Sequence, residues 1–482
     1  MGISDLKSSV GLNKKPIIGL VIIAVVSISI LTIPGLLGFE LNLAMALSAI
    51  VLLSIYIVLS FEMAHRTAIA LVGAASVIII GITTNLFTAE KSLEFAVNSI
   101  DFNTIGLLLG MMIIVAMLSE TGIFQYFGIK MSKKTKGNLW KLMLALCTFT
   151  AVVSMFIDNV TTILLMAPVT FSVFRTFKLS PIPFILSQAL ASNIGGTATL
   201  IGDPPNIMIG SAANIDFNSF IIHMGPTIAI SLIASMLLLR FFFRKDLKAS
   251  VSNLEQLMRE DEKALLRDKS LLKKSMAVLI GVVVMFVIHG SLHIQPSVIA
   301  LGGAAILFII TKAQPERILR EVDWSTLIFF IGLFIIVGTV VQAGIIKLLS
   351  SAAIGITGAN PWLAFTMIVW LSAIASAFVD NIPFTATMIP LIHTLNVNPN
   401  VAAAFGSYQV SPLWWALSLG ANFGGNGTLV GSSAGVIAAG LAEKYHSKIT
   451  FNDFFRVGFP FMIMTVASGT VILLLDILLR IK

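Results

Sequence analysis

Charged residues are scarce in this chain. Asp, Glu, Lys and Arg make up 11% of its 482 residues, whereas a soluble domain carries about 25%. With so little charge and 57% hydrophobic residues, the chain cannot cover a water-facing surface, which points to the membrane class. Cysteine is nearly absent: Cys147 stands alone, which excludes an intrachain disulfide and any multi-thiolate metal site within one chain. The six histidines are scattered; His223 lies in an apolar span, where it reads as a packed neutral ring before it reads as a proton relay. No H-E-x-x-H and no G-x-x-x-x-G-K-[ST] occurs, so nothing points to a membrane metalloprotease or to ATP hydrolysis within this chain. Gly431-Ser-Ser-Ala-Gly435 fits the G-x-S-x-G pattern of a nucleophile elbow. It lies in a charge-free apolar stretch with no strand before it, so no enzyme and no organic cofactor is expected. The formal charge of +8 invites a nucleic-acid reading, but loop topology accounts for it better.

What the chain has instead is long apolar runs. Residues 16–39, 41–61, 67–89 and 217–239 contain no Asp, Glu, Lys or Arg, and none lies between Asp380 and Glu443. Each window can cross ~30 Å of hydrocarbon at about 20 residues per span. The run from Pro16 to Phe39 follows Lys7, Lys14 and Lys15 in the manner of a signal peptide. It is too long for a signal h-region and lacks a small-x-small cleavage site, so it reads as the first transmembrane helix. Apolar runs and charged breaks together give about eleven spans, near 17–37, 41–61, 67–87, 103–127, 181–212, 217–240, 275–293, 296–312, 324–350, 403–442 and 451–480. Two shorter re-entrant hairpins lie near 139–174 and 362–395. With a cytoplasmic N-terminus, 27 of the 31 Lys and Arg fall in cytoplasmic segments, as the positive-inside rule requires. The expectation is a multi-pass, all-α protein of the cell membrane.

The one long hydrophilic stretch, 240–274, mixes ten basic with six acidic residues, and the halves on either side of it align. Asp101 through Ile123 matches Asp323 through Ile345 with eight identities in 23 positions. At the same offset of 222, Phe156-Ile-Asp-Asn-Val matches Phe378-Val-Asp-Asn-Ile. Ser192-Asn-Ile-Gly-Gly-Thr then matches Ala421-Asn-Phe-Gly-Gly-Asn, and Phe217-Asn-Ser-Phe220 matches Phe451-Asn-Asp-Phe454. Apolar composition alone does not reproduce Asp-Asn and Asn-x-Gly-Gly in register, so the halves are repeats. The organisation expected is a tail and first helix over 1–40, a first repeat over 41–243, a cytoplasmic linker over 244–274 and a second repeat over 275–482. Each repeat holds an odd number of spans, so the second enters the membrane inverted. Inverted repeats with broken helices are a transporter architecture, with the solute site near the midplane.

Ionisable residues in mid-span cost roughly 2.5–3.5 kcal/mol each on insertion scales and default to functional hypotheses. Asp158, Asp203 and Asp380 stand in otherwise charge-free surroundings. Asp158 and Asp380 are equivalent, followed by Asn159 with Thr161 and Thr162, or by Asn381 with Thr385. These clusters offer carboxylate, amide and hydroxyl oxygens, which suit a hard cation such as Na+; a carboxylate held away from water can carry a proton instead. The plainer reading is that each aspartate caps its own hairpin arm, and both can hold together. The second element, Asn193-Ile-Gly195-Gly196-Thr197 with Asp203-Pro-Pro-Asn206, is answered by Asn422-Phe-Gly424-Gly425-Asn426-Gly-Thr428. Paired glycines free the backbone from the helix, and Pro204 and Pro205 fit the first turn of a new one. A break at that depth needs protein or a water-filled cavity to satisfy it; close packing through small residues is the alternative. Asp203 has no acidic counterpart in the other repeat, where Ser432 or Ser433 falls instead, so a helix cap and a proton site stay equal readings for it, with Asn206 beside it. Gly106-Leu-Leu-Leu-Gly110 is a candidate helix-packing site.

On Asp158-Asn-Val-Thr-Thr, Ile201-Gly-Asp-Pro-Pro-Asn, Asp380-Asn-Ile-Pro-Phe-Thr-Ala-Thr and Gly424-Gly-Asn-Gly-Thr-Leu, the chain resembles the ion transporter superfamily, in the branch of ArsB-type arsenite pumps, NhaD-type sodium/proton antiporters and the melanosomal P protein. These motifs are most similar to the P protein group, and the resemblance spans roughly 40–480. It implies a citrate-transporter-like fold with a scaffold domain and a moving domain made of both hairpins and both broken spans, working as an elevator in a homodimer. Carboxylate-transporting relatives carry Ser-Asn-Thr where this chain has Asp158-Asn159-Val160 and Asp380-Asn381-Ile382, which argues against a carboxylate substrate. Two substrates stay open: arsenite or antimonite, held as neutral trihydroxide, and Na+ exchanged for protons. An anion transporter or channel of the P protein type is the alternative, and an assisting ATPase subunit also stays open.

Overall fold

A computed structural model of the chain describes residues 14–36, 41–357 and 360–479. The tail before Lys14 and the expected ends of the first and last spans, at 37 and 480, lie outside the described residues. The described residues are helical throughout, with no strand. In order they form α1 (Lys14–Leu36), α2 (Leu43–Ser60), α3 (Arg66–Thr83), α4 (Ser92–Ser99), α5 (Phe102–Glu120), α6 (Ile123–Lys134), α7 (Leu139–Ser154) and α8 (Asn159–Phe177). There follow α9 (Ile182–Gly196), α10 (Pro204–Ala213), α11 (Phe217–Phe242), α12 (Leu254–Arg259), α13 (Lys269–Leu292), α14 (Pro296–Thr311), α15 (Pro315–Leu319) and α16 (Trp324–Ala343). The last are α17 (Ile345–Thr357), α18 (Pro361–Phe378), α19 (Asn381–Asn396), α20 (Pro399–Phe405), α21 (Pro412–Gly424), α22 (Ser433–Lys444) and α23 (Phe451–Leu479). Among the described residues, nine helices are long and apolar enough to cross a membrane.

The chain divides into two compact units. One holds the residues up to Ile100 with Ile328–Leu349. Inside it, Gly332 of α16 lies on the backbone of Ala70, where a Cβ would come within 2.8 Å of the Ala70 carbonyl. The other unit holds Asp101–Leu327 and the chain from Ser350 onward. In it Gly110 of α5 packs on Ala300 of α14, where a Cβ would lie 2.5–2.7 Å from backbone atoms, so the Gly106/Gly110 face is a helix contact. Gly110 and Gly332 are equivalent positions of the repeat. Equivalent caps open the same two helices: Thr104 and Thr326 donate hydroxyls at 2.5 Å to Asp101 and Asp323.

The expected hairpins are α7–α8 and α18–α19. The expected spans 103–127 and 324–350 are each two helices, not one. Gly122 (φ 80°) and Gly344 (φ 94°) stand in the left-handed region at the two bends, a conformation that costs glycine little and other residues more. The hydrophilic linker fastens onto the first bend. The Arg267 N–H donates to Thr121 O at 3.0 Å, and Lys133 reaches the Glu260 carbonyl and the Glu262 carboxylate, the latter at 2.5 Å. That ammonium hydrogen bond holds the Glu262 carboxyl below its ordinary value.

Burial follows membrane logic. Helix α11 exposes Ile230, Ile233, Leu237 and Phe241, an apolar stripe suited to lipid. It buries Thr227, Ser231 and Ser235, the small residues that let helices approach. The half-helices α9, from Pro183 onward, and α21 are buried at every position.

Candidate functional site

The site is built where each broken span crosses its hairpin. Span 181–212 stops at Gly196 and restarts at Pro204; the expected span 403–442 begins only at Pro412, after α20 has ended at Phe405, then stops at Gly424 and restarts at Ser433. The glycines are there because backbone meets backbone. A Cβ on Gly195 would lie 2.6 Å from Ala151 Cα and its carbonyl carbon, and one on Gly424 would lie 2.7 Å from Ala373 Cα. Gly196 and Gly202 meet across the first break at 2.6 Å, and Gly425 and Gly431 across the second at 3.1 Å, by the same measure. Thr199 and Thr428 then tie each break to its hairpin by donating to the Met155 and Ala377 carbonyls. These crossings carry the hairpin tips, and with them Asp158-Asn159 and Asp380-Asn381, onto the breaks.

Both tip aspartates cap their helices, Asp158 accepting from the Thr161 N–H at 2.9 Å and Asp380 from Ile382 N at 3.0 Å. Asp380 also accepts the Ser433 hydroxyl at 2.8 Å. Asp203 behaves differently. It occupies the cap position of α10, yet its side chain makes no capping hydrogen bond. The next two residues, Pro204 and Pro205, have no N–H to offer, and the first N–H available, that of Asn206, donates to the Asp203 carbonyl at 2.9 Å. The carboxylate therefore turns inward, fully buried, and accepts from Asn159 Nδ2 at 2.8 Å and from Asn381 Nδ2 at 3.4 Å. At the equivalent place Ser432, followed by no proline, does cap, accepting from Gly435 N at 3.3 Å.

Amides extend this core across both repeats. Asn159 Nδ2 also donates to Asn193 Oδ1 at 2.9 Å, and Asn193 Nδ2 donates to Asn426 Oδ1 at 2.9 Å and Ser432 Oγ at 2.8 Å. Asn206 Nδ2 donates to the carbonyls of Gly196, Thr197 and Thr199 at 3.2, 3.2 and 2.8 Å, holding the first break open. Its Oδ1 accepts Ser418 Oγ at 2.7 Å and Asn422 Nδ2 at 2.8 Å. The remaining threonines bond locally: Thr162 donates to Ile157 O at the hairpin tip just before its helix, Thr197 to Asn193 O and Thr385 to Asn381 O. Sequence reading missed Ser418; its only signal was a hydroxyl one turn before Asn422 in a charge-free span. The side chains that make up this core carry no positive charge.

Residues 56–420 match the citrate transporter family, CitMHS. A transporter of Mycobacterium tuberculosis is 39% identical over 420 residues, which cover 87% of this chain and 95% of its own length. The P protein of Mus musculus is 34% identical over 520 aligned positions, covering 91% of this chain and 61% of that protein. Among solved structures, the YdaH transporter of Alcanivorax borkumensis superposes with a TM-score of 0.53 at 14% identity, over 86% of this chain and 97% of that one. MtrF of Neisseria gonorrhoeae, from a class described as antimetabolite efflux pumps, gives 0.54 at 11%, over 82% and 83%. The two likenesses show the fold; the family match and the relatives show the kind of protein. A multi-pass helical chain with repeated hairpins and broken spans, matched over three quarters of its length, belongs to the CitMHS citrate-transporter family and is a secondary transporter of the CitMHS and P protein type.

Proposed function

We propose that the protein couples proton movement to efflux of a small inorganic solute, arsenite or antimonite as trihydroxide or else Na+, at the meeting of its two broken spans. One observation carries this reading: the buried Asp203 carboxylate accepts an amide from each hairpin tip, Asn159 and Asn381. A single acid thus answers to both repeats, and burying it beside Asp158 and Asp380 costs free energy that a proton or a cation offsets. The same three carboxylates, with no Lys or Arg in the network, repel a citrate-like or other anionic solute, which argues against citrate. Two repeats with a shared midplane site support alternating access over a channel. The sequence-level organisation 41–243 and 275–482, a homodimer, elevator movement, a cytoplasmic N-terminus and placement in the plasma membrane complete the proposal.

The test is reconstitution in liposomes with an internal pH dye and no ATPase. Under an imposed proton gradient, Na+ or arsenite should move protons, and Asp158→Asn or Asp380→Asn should abolish that movement while the protein stays folded. Unchanged flux in both variants overturns the assignment of the site.

A further inference from the structure

We propose that Asn422 and Asn426 form a directional pair that selects an uncharged, hydroxylated solute over a bare cation. The inference rests on the transport reading above and specifies the solute class for that same site. Two chains of amides lead to this pair, and the outer end of each fixes its direction.

The first chain begins at three backbone carbonyls, which only accept. Asn206 must point Nδ2 at the carbonyls of Gly196, Thr197 and Thr199, which leaves Oδ1 as the acceptor for Asn422 Nδ2. Asn422 Nδ2 also donates to Ser418 O at 2.9 Å. Both amide hydrogens of Asn422 are committed, and its Oδ1, buried, has no partner. The second chain begins at the Asp203 carboxylate, which likewise accepts. It fixes Asn159 Nδ2, which passes a hydrogen to Asn193 Oδ1, and Asn193 Nδ2 passes one to Asn426 Oδ1. This chain ends on Asn426 Nδ2, buried and without a partner. Both residues are 0% exposed.

The network therefore terminates in one unpaired acceptor and one unpaired donor, four residues apart at the end of α21. Buried amide ends are almost always paired, and leaving one unpaired costs free energy. A ligand that satisfies both must offer a hydrogen to Asn422 and a lone pair to Asn426. A small neutral molecule bearing hydroxyl groups does both. A bare cation satisfies the Asn422 oxygen but meets the positive end of the Asn426 amide.

Asn426→Asp separates the two solutes by sign. It keeps the oxygen that accepts from Asn193 and turns the unpaired donor into an oxygen of nearly the same size. The full-length protein in nanodiscs is titrated with arsenous acid, uncharged at neutral pH, and separately with sodium chloride, following thermal stabilisation. The expected result is stabilisation of the wild type by arsenous acid, with the apparent affinity falling at least about tenfold in Asn426→Asp. Unchanged arsenous acid affinity in that variant, or stabilisation of the wild type by sodium alone or by neither probe, overturns the proposal. If Asn426→Asp does not fold, competition between the two probes on the wild type decides on the same terms. Liposome flux separates the two proposals. Proton movement driven by sodium alone sinks the solute class and leaves coupled transport standing. Arsenous acid binding as described without any proton movement does the reverse.

Discussion

Replacing Gly195 with alanine tests whether the break is held by backbone contact. A Cβ there would sit 2.6 Å from Ala151 Cα and carbonyl carbon, whereas ordinary contact begins at 3.4 Å. Helices α7 and α9 would have to separate by more than about 0.8 Å, because the Ala151 carbonyl oxygen lies closer still, and no flexible side-chain end can yield, since every colliding atom is backbone. Such overpacking costs up to ~3 kcal/mol, and the helical preference for alanine over glycine returns ~1 kcal/mol, leaving a net loss of about 2 kcal/mol. Gly281 is the control: it lies within α13, faces outward, and a Cβ there meets nothing within 4 Å. Gly281→Ala should gain up to ~1 kcal/mol, so the two variants should differ by about 3 kcal/mol. Gly424→Ala, against Ala373, should fall with Gly195→Ala. Unfolding in mixed detergent micelles, read by tryptophan fluorescence, measures all three. If Gly195→Ala and Gly281→Ala unfold at the same denaturant fraction, the close approach does not hold the break and the reasoning fails.

Much of the architecture was legible because a bilayer leaves few choices. Charge-free windows must span, and a motif repeated at one offset must occupy equivalent places, which is why Asp158 and Asp380 could be paired on sequence alone. The glycines of both breaks were legible as breaks, but their partners were not: nothing in Gly195 names Ala151, since the contact is to backbone that every residue has. The bends at Gly122 and Gly344 were missed although the two glycines align, because an apolar run continues past each one and hydropathy does not register φ. Asp203 shows the limit most clearly. A residue of capping type before a helix reads as a cap, but Pro204 and Pro205 offer no N–H and the next one, on Asn206, is taken by the Asp203 carbonyl. The two missing N–H groups were present in the sequence as chemistry rather than as pattern; the use made of the third was not. Where the carboxylate then goes, to Asn159 and Asn381, depends on chain segments distant in sequence.

Three further outcomes are expected. Thr199→Val and Thr428→Val each remove a hydroxyl that ties a break to its hairpin and leave a carbonyl unpaired; each should lose ~1–3 kcal/mol in the same unfolding assay, and Thr176→Val, whose hydroxyl is exposed, should lose almost nothing. Because Lys133 holds the Glu262 carboxyl low, this tie is complete above the ordinary carboxylate range and is lost as pH falls through the lowered value. Hydrogen exchange over 254–268 should therefore be faster in Glu262→Gln than in the wild type at neutral pH, with the difference vanishing in acid; an equal difference at both pH values refutes the tie. The last concerns Asn206, whose amide nitrogen faces three carbonyl oxygens. Asn206→Leu leaves those carbonyls unpaired, whereas Asn206→Asp keeps the shape and sets an oxygen against them, so Asn206→Asp should be the less stable of the two despite being the smaller change. If Asn206→Asp is the better tolerated, the carbonyls are not what orients Asn206, and the direction assigned to the whole amide chain through Asn422 falls with it.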